Sequence, residues 1–156
     1  MTIYLVRHGK ASKDAVYQRD EERPLTKRGR SDVDRIAAQM ARAETPIHQI
    51  RHSGLLRARE TAEIMAQHLN PPGGVIKVAG LLFDDPVDVL ARELHLEPEP
   101  VMFVGHNPFM ERLASHLLVG NPNQTPITFS TSCTVCLEFI EGAWSVRWVL
   151  NPKIVP

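Results

Sequence analysis

An arginine and a histidine stand side by side where an apolar run ends. Ile3, Tyr4, Leu5 and Val6 lead straight into Arg7, His8 and Gly9. A guanidinium opposes protonation of a neighbouring imidazole, so electrostatics alone gives no reason for the pair. Either the two are unrelated surface residues, or they meet around something anionic. Two later segments bear on that choice. Arg57 lies near the start of a helical pattern, whose end offers free N–H groups and partial positive charge. His106 follows a second apolar run, Val101 to Val104, and precedes Asn107 and Pro108, which read as N-cap and first helical residue.

If these ends converge, two arginines and two histidines surround one concave spot. A phosphoryl group fits that set, because it carries close to two negative charges and a guanidinium can fork onto two of its oxygens. A neutral imidazole can also attack phosphorus and hold the phosphoryl covalently. The arginines and helix ends would lower its pKa and keep it neutral. A second, protonated histidine could stabilise charge on the equatorial oxygens. Such transfer rests on positioning and electrostatics, so this set could act without a metal. Taken singly each residue is bland: a His–Gly after a strand is usually structural, and an Arg at a helix start is usually solvated.

The elements that must position these residues alternate between strand and helix. Strands are expected at "TIYLV", "PIHQIRHS" and Val101–Val104, with a short, ambiguous one in "VIKVAGLLF". The polar stretch from Lys10 to Arg23 reads as a loop. Helices are expected from Thr26, from Leu55 to a stop at "NPPGG", over Val87–Leu96, and after Pro108. Thr134–Ile140 and Trp144–Leu150 read as a hairpin around Glu141 and Gly142. Alternation of this kind argues for α/β with a mostly parallel sheet, the final hairpin adding antiparallel pairing. Sites in such sheets form beyond the carboxyl ends of the strands, where the three segments lie.

Composition narrows the rest. The chain has 156 residues, enough for a single domain over 1–156 with a full core. Its 18 Lys and Arg balance 18 Asp and Glu, so the global footprint of a nucleic-acid binder is missing. No apolar run approaches a membrane span, and the N-terminal run is too short for a signal peptide, so a cytoplasmic protein is expected. Cys133 and Cys136 lack a second pair to complete a metal site and should point to opposite faces of one strand. "FDDP", Phe83 to Pro86, reads as a turn. His48, His52, His68, His95 and His116 read as surface or satisfied residues.

Together the three segments resemble the histidine phosphatase, or phosphoglycerate mutase-like, superfamily. Arg7, His8 and Gly9 match its "RHG" hallmark; Ser53, Arg57, Ala58, Thr61 and Ala62 match its second motif; Gly105 and His106 match its later "GH". "RHGKA", "ERPLTKRG", "RHSGLLRARETA" and "VGHNP" look like the SixA-type phosphohistidine phosphatase branch. That resemblance implies a three-layer α/β/α, phosphoglycerate mutase-like fold with a mostly parallel sheet and an antiparallel C-terminal strand. It implies His8 as phosphorylated nucleophile, Arg7, Arg57 and His106 as phosphoryl ligands, and Arg23 of "ERPLT" as a bordering substrate contact. No cofactor or metal is implied.

The departures carry information. Glu60 replaces a common Gln and is expected to pair with a nearby base; Gly54 stands where many members have Pro; Asn107 stands where acid phosphatases of the superfamily have Asp. The expected Glu donor of mutases has no insertion to sit on. An alkoxide leaving group needs a proton donor, whereas a phosphohistidine releases imidazole, whose pKa is about 6.5. A site without an evident acid therefore suits a P–N substrate, with inorganic phosphate as product. Asp84 and Asp85 are the candidate donors that would undo this argument. The reading is a phosphatase acting on phosphohistidine of a signalling protein, such as a histidine-phosphotransfer domain. The alternatives are an esterase for small phosphate esters and a phosphate-binding module without turnover.

Overall fold

Ile3, Tyr4, Leu5 and Val6 are all buried, as expected of a strand covered on both faces. In the computed structural model, which describes residues 1–156, they form β1 (Thr2–Arg7). The further strands are β2 (Gln49–His52), β3 (Val75–Lys77), β4 (Val101–Gly105), β5 (Thr134–Ile140) and β6 (Ala143–Leu150). One six-stranded sheet runs in the order β3-β2-β4-β1-β5-β6. The pairs β1–β4, β4–β2 and β2–β3 are parallel; β5 pairs antiparallel with β1 and with β6, so the expected C-terminal hairpin adds the antiparallel pairing.

Helices α1 (Lys27–Arg42) and α2 (Leu56–Leu69) cover one face, and α3 (Val87–Glu93) and α4 (Phe109–Val119) the other. The alternation of β1 divides the core accordingly. Tyr4 and Val6 pack with Val33, Ile36 and Ala62, while Ile3 and Leu5 pack with Phe103, Phe109 and Leu113. Cys136 belongs to the first cluster and Cys133 to the second, so the two cysteines do fall on opposite faces, both reduced. Three layers result, as in phosphoglycerate mutase-like folds. No helix is long and apolar enough to cross a membrane.

Two local readings are revised. The Lys10–Arg23 loop carries a 3₁₀ turn at Asp20–Glu22, and Ala11 bridges Leu25 in antiparallel fashion. Asn107 is not the N-cap of α4: the Asn107–Pro108 bond is cis, and Pro108 itself takes the cap position. Elsewhere the start signals act as read. Thr26 caps α1 through its hydroxyl, which accepts the Gly29 N–H at 2.9 Å.

The first turn of α1 lies against the segment just past His8. Thr26 N–H donates to the Lys10 carbonyl at 2.8 Å, and a Cβ on Gly29 would sit 2.2 Å from that oxygen. This backbone contact fixes where the loop leaves β1. Alanine has the higher helix propensity, by about 1 kcal/mol, yet Gly29→Ala is expected to destabilise the protein. The loss should be about 1–3 kcal/mol, as for other overpacked sites, read from urea unfolding midpoints. A stabilised variant would show that the contact yields.

Candidate active site

Parallel pairing of β1 with β4 sets Arg7 opposite Gly105 at the carboxyl edge of the sheet. His8 donates its backbone N–H to the Gly105 carbonyl at 3.0 Å, so the residues following the two strands are held together. The rings of His8 and His106 are consequently neighbours, their centroids 5.0 Å apart. β2 flanks β4 on the other side, and Ser53, just beyond its end, reaches across: its Oγ lies 2.6 Å from His106 Nε2. Arg57 enters from the first turn of α2, buried, and its charge acts on both histidines. The four residues expected from the sequence thus meet in one place.

His8 Nδ1 lies 2.6 Å from the Gly9 carbonyl oxygen. A carbonyl only accepts, so Nδ1 carries the proton and Nε2 keeps its lone pair. Burial pushes the His8 pKa down to about 4, opposed by the Gly9 bond and assisted by Arg57, Arg7 and Arg23. Desolvation is thus the main agent of its neutrality, and the arginines add to it.

His106 is lowered further, to about 3, by burial first and then by His8 and Arg57. The expectation of a protonated second histidine is therefore corrected: both rings are neutral. Ser53 Oγ, which also accepts the Leu55 N–H at 3.4 Å, occupies His106 Nε2. His106 Nδ1 is buried and has no partner within the protein. Arg7 Nε is in the same condition, while its Nη1 donates to the Phe129 carbonyl at 2.9 Å. Two buried nitrogens without partners at one strand edge, one of them a guanidinium N–H, are suited to an oxyanion.

The loop supplies a residue that the sequence reading missed. Asp20 takes Arg57 at two points, its carbonyl accepting from Nη1 and its Oδ2 from Nη2, both at 2.9 Å. Its other carboxylate oxygen accepts from Arg23 Nη1 at 2.9 Å, and Arg23 Nε holds the Ser12 carbonyl at 2.6 Å. These two guanidinium groups, Arg23 before Arg57, hold the Asp20 carboxyl below its ordinary pKa. It is ionised and has no proton to give. Within "RDEER" the only hint of this was the spacing of three to Arg23.

Other motif residues turn out to be struts. Thr61 Oγ1 accepts the Gly9 N–H at 3.0 Å and donates to the Arg57 carbonyl at 2.7 Å, joining the "RHG" turn to α2. Glu60 pairs with Arg30 and accepts the Leu25 N–H, away from the histidines. Asn107 Nδ2 donates to Glu111 and to the Phe129 carbonyl. Asp85 accepts the Leu82 N–H at 2.8 Å and closes the "FDDP" turn, and Asp84 is exposed. Gly54 has φ of 95°, which proline, locked near −65°, cannot adopt.

A cavity of about 870 Å³ opens beside the site, lined by Arg7, His8 and Arg23 among others. Arg57 and His106 do not line it; they are buried, at 6% and 2% exposure. No group of three His, Cys, Asp or Glu side chains is placed to hold a metal.

Residues 3–81 match the model of the histidine phosphatase superfamily, branch 1. Among curated proteins, phosphohistidine phosphatase SixA of Escherichia coli is 27% identical, over 97% of this chain and 94% of its own length. The human mitochondrial serine/threonine-protein phosphatase PGAM5 is 32% identical, over 63% of this chain but only 30% of its own. A solved structure of the protein histidine phosphatase SixA complexed with tungstate superposes with a TM-score of 0.86, at 27% identity and 98% coverage of both chains.

Buried neutral histidines make folding pH-dependent. Both rings ionise near 6.5 in the unfolded chain, but only near 4 and 3 in the folded one. Between these values the unfolded state binds protons that the folded state refuses, so stability falls as pH drops below 6.5. His8→Asn removes one of the two titrations. From pH 7 to 4 the native protein should lose on the order of 3 kcal/mol more than this variant, by urea unfolding at each pH. Equal losses would mean that His8 titrates normally in the fold.

Proposed function

Because this chain belongs to branch 1 of the histidine phosphatase superfamily and is a phosphatase, we propose that it hydrolyses phosphohistidine on a protein through a phosphoryl-enzyme at His8. The observation that carries this reading is the hydrogen bond from His8 Nδ1 to the Gly9 carbonyl, which leaves an unprotonated Nε2 in a ring that stays neutral at pH 7. Nε2 attacks phosphorus, the new N–P bond forms, and the P–N bond to the substrate ring breaks. Protonated by solvent at its other nitrogen, that ring departs as neutral imidazole. Water then attacks phosphorus, the bond to His8 Nε2 breaks, and inorganic phosphate leaves.

Arg7 and Arg57 bind the phosphoryl oxygens, and His106 donates from Nδ1. Arg57 commits one hydrogen of each terminal nitrogen to Asp20 and retains a second on each. A buried, preorganised set of this kind is worth more than the same groups in water. No protonated carboxyl stands by: Asp20 is ionised, and Asp85 is engaged in its turn. That favours the P–N bond over the ester, since an ester requires its leaving oxygen to be protonated. Arg23, on the cavity wall, borders the substrate.

The test is a comparison of substrates. A phosphohistidine-bearing phosphotransfer domain should lose its phosphoryl group faster, by kcat/KM, than any of a panel of alkyl and aryl phosphate esters. Release from the esters alone would overturn the P–N reading. His8→Ala should lower kcat by about 10⁴ or more, as removal of a nucleophile does elsewhere, and quenching in base should trap acid-labile phosphate on the native protein only. The acid limb of kcat/KM should lie near pH 4, where His8 takes up its proton. A limb near 6.5 that stays in place when the substrate's own pKa is changed would place the nucleophile elsewhere.

A further inference from the structure

The chain carries no net charge, yet its charge is unevenly spread: seven of its 18 Lys and Arg residues line the cavity beside His8, against one of its 18 Asp and Glu. That one acid, Asp32, is already matched, lying 2.5 Å from Arg35 and 3.9 Å from Arg28. Arg35 also donates to the carbonyls of Pro152 and Val155, which ties the C-terminal segment down and sets Lys153 on the groove wall. Lys10, Lys13 and Lys153 are exposed and form no ion pair, whereas Arg23 pairs with Asp20 outside the lining. The groove is thus a basic wall beside His8 with three free ammonium groups.

From this we infer that the groove docks a carboxylate-rich segment of the substrate protein, next to its phosphohistidine. The inference rests on the phosphoprotein reading above and names what that protein must carry. Three features select an acidic polypeptide over other anions. Single-stranded nucleic acid would need aromatic side chains for its bases to stack on, and the lining holds no Phe, Tyr or Trp. A second phosphate on a small metabolite would need fixed, convergent donors, whereas these lysines are long, exposed and rotationally free. Flexible ammonium groups along an open wall instead suit a partner with several carboxylates, where the gain is in encounter rate and orientation. The second cavity, on the Ser53 side, differs: it is lined by Glu21 and Asp85 with Lys77 as the sole base, so an acidic segment is directed to one flank only.

Two fluorescent peptides test this, each with one central histidine flanked by four Glu or by four Gln. In binding measured by anisotropy, without phosphate, the Glu peptide should bind at least about ten-fold tighter at low salt. The advantage should shrink as ionic strength rises past 0.1 M, where screening shortens to about 10 Å. Lys13→Glu combined with Lys153→Glu should bring the two peptides to parity, and Arg92→Glu, on the far side of the sheet in α3, should leave the ratio as it was. After phosphorylation of the histidine, the same ratio should appear in kcat/KM. Equal binding of the two peptides by the native protein would overturn the groove's role, as would an Arg92→Glu variant that loses the preference equally. If the Glu peptide binds selectively but its phosphohistidine is not hydrolysed, the groove stands and the P–N reading falls.

Discussion

Three arginines and two imidazoles share a small, poorly solvated volume at the end of β1 and β4, and their mutual repulsion is the constraint that the surrounding structure answers. Charge packed this way is costly unless it is paired or neutralised. The protein uses both remedies. The imidazoles give up their protons, His8 to a pKa of about 4 and His106 to about 3. The guanidiniums of Arg57 and Arg23 share one carboxylate, that of Asp20. What remains is positive charge with unspent donors, which is the condition for holding a phosphoryl group. The adjacency of Arg7 and His8 thus makes sense: burial, with the neighbouring cations, keeps the imidazole neutral and its Nε2 lone pair free.

Holding such a set in register needs a rigid frame, and the frame is mostly backbone. His8 N–H is fixed to Gly105, Gly9 N–H to Thr61, and Ser132 N–H to the carbonyls of Arg7 and His8. Thr61 passes the constraint on to Arg57 through the Arg57 carbonyl, one helical turn earlier. Three segments distant in sequence are thereby tied to the same three residues. Gly29 admits α1 to within contact of the Lys10 carbonyl, which determines the direction of the loop and so the place of Asp20 above Arg57.

The parts of this legible in the sequence were those written in local patterns. Apolar runs and helical periodicity located the strands and helices, and the strand ends pointed to Arg7, His8 and His106. Arg57 was legible because a helix start is a recognisable place. Asp20 was not, since it lies in an exposed, highly charged run where nothing local distinguishes one acid from the next; its partner is 37 residues away. Ser53 and Thr61 stood in a motif, but their use depends on tertiary contacts that spacing does not encode. The protonation of His106 was misread because burial, the largest cause of its shift, cannot be seen in a residue's neighbours along the chain. The cap of α4 lies one residue beyond the expected Asn107, at Pro108, and the Asn107 side chain is engaged instead with Glu111 and the Phe129 carbonyl.

The geometry also separates reactivity from selection. Reactivity depends on groups that are buried, neutral or paired, whose energies are large because water is excluded. On the proposed reading, selection is left to the exposed bases of the groove, where each contact is worth little and salt weakens it. With Asp20 held ionised, it cannot protonate a leaving group, and the P–N bond of the proposed substrate is the phosphoryl linkage that least requires such help. Because that chemistry asks so little of the leaving group, it offers little discrimination between one phosphohistidine and another. On the proposed reading, discrimination then comes from outside the reacting centre, and the basic groove that His8 and Lys153 both line is the surface suited to supply it.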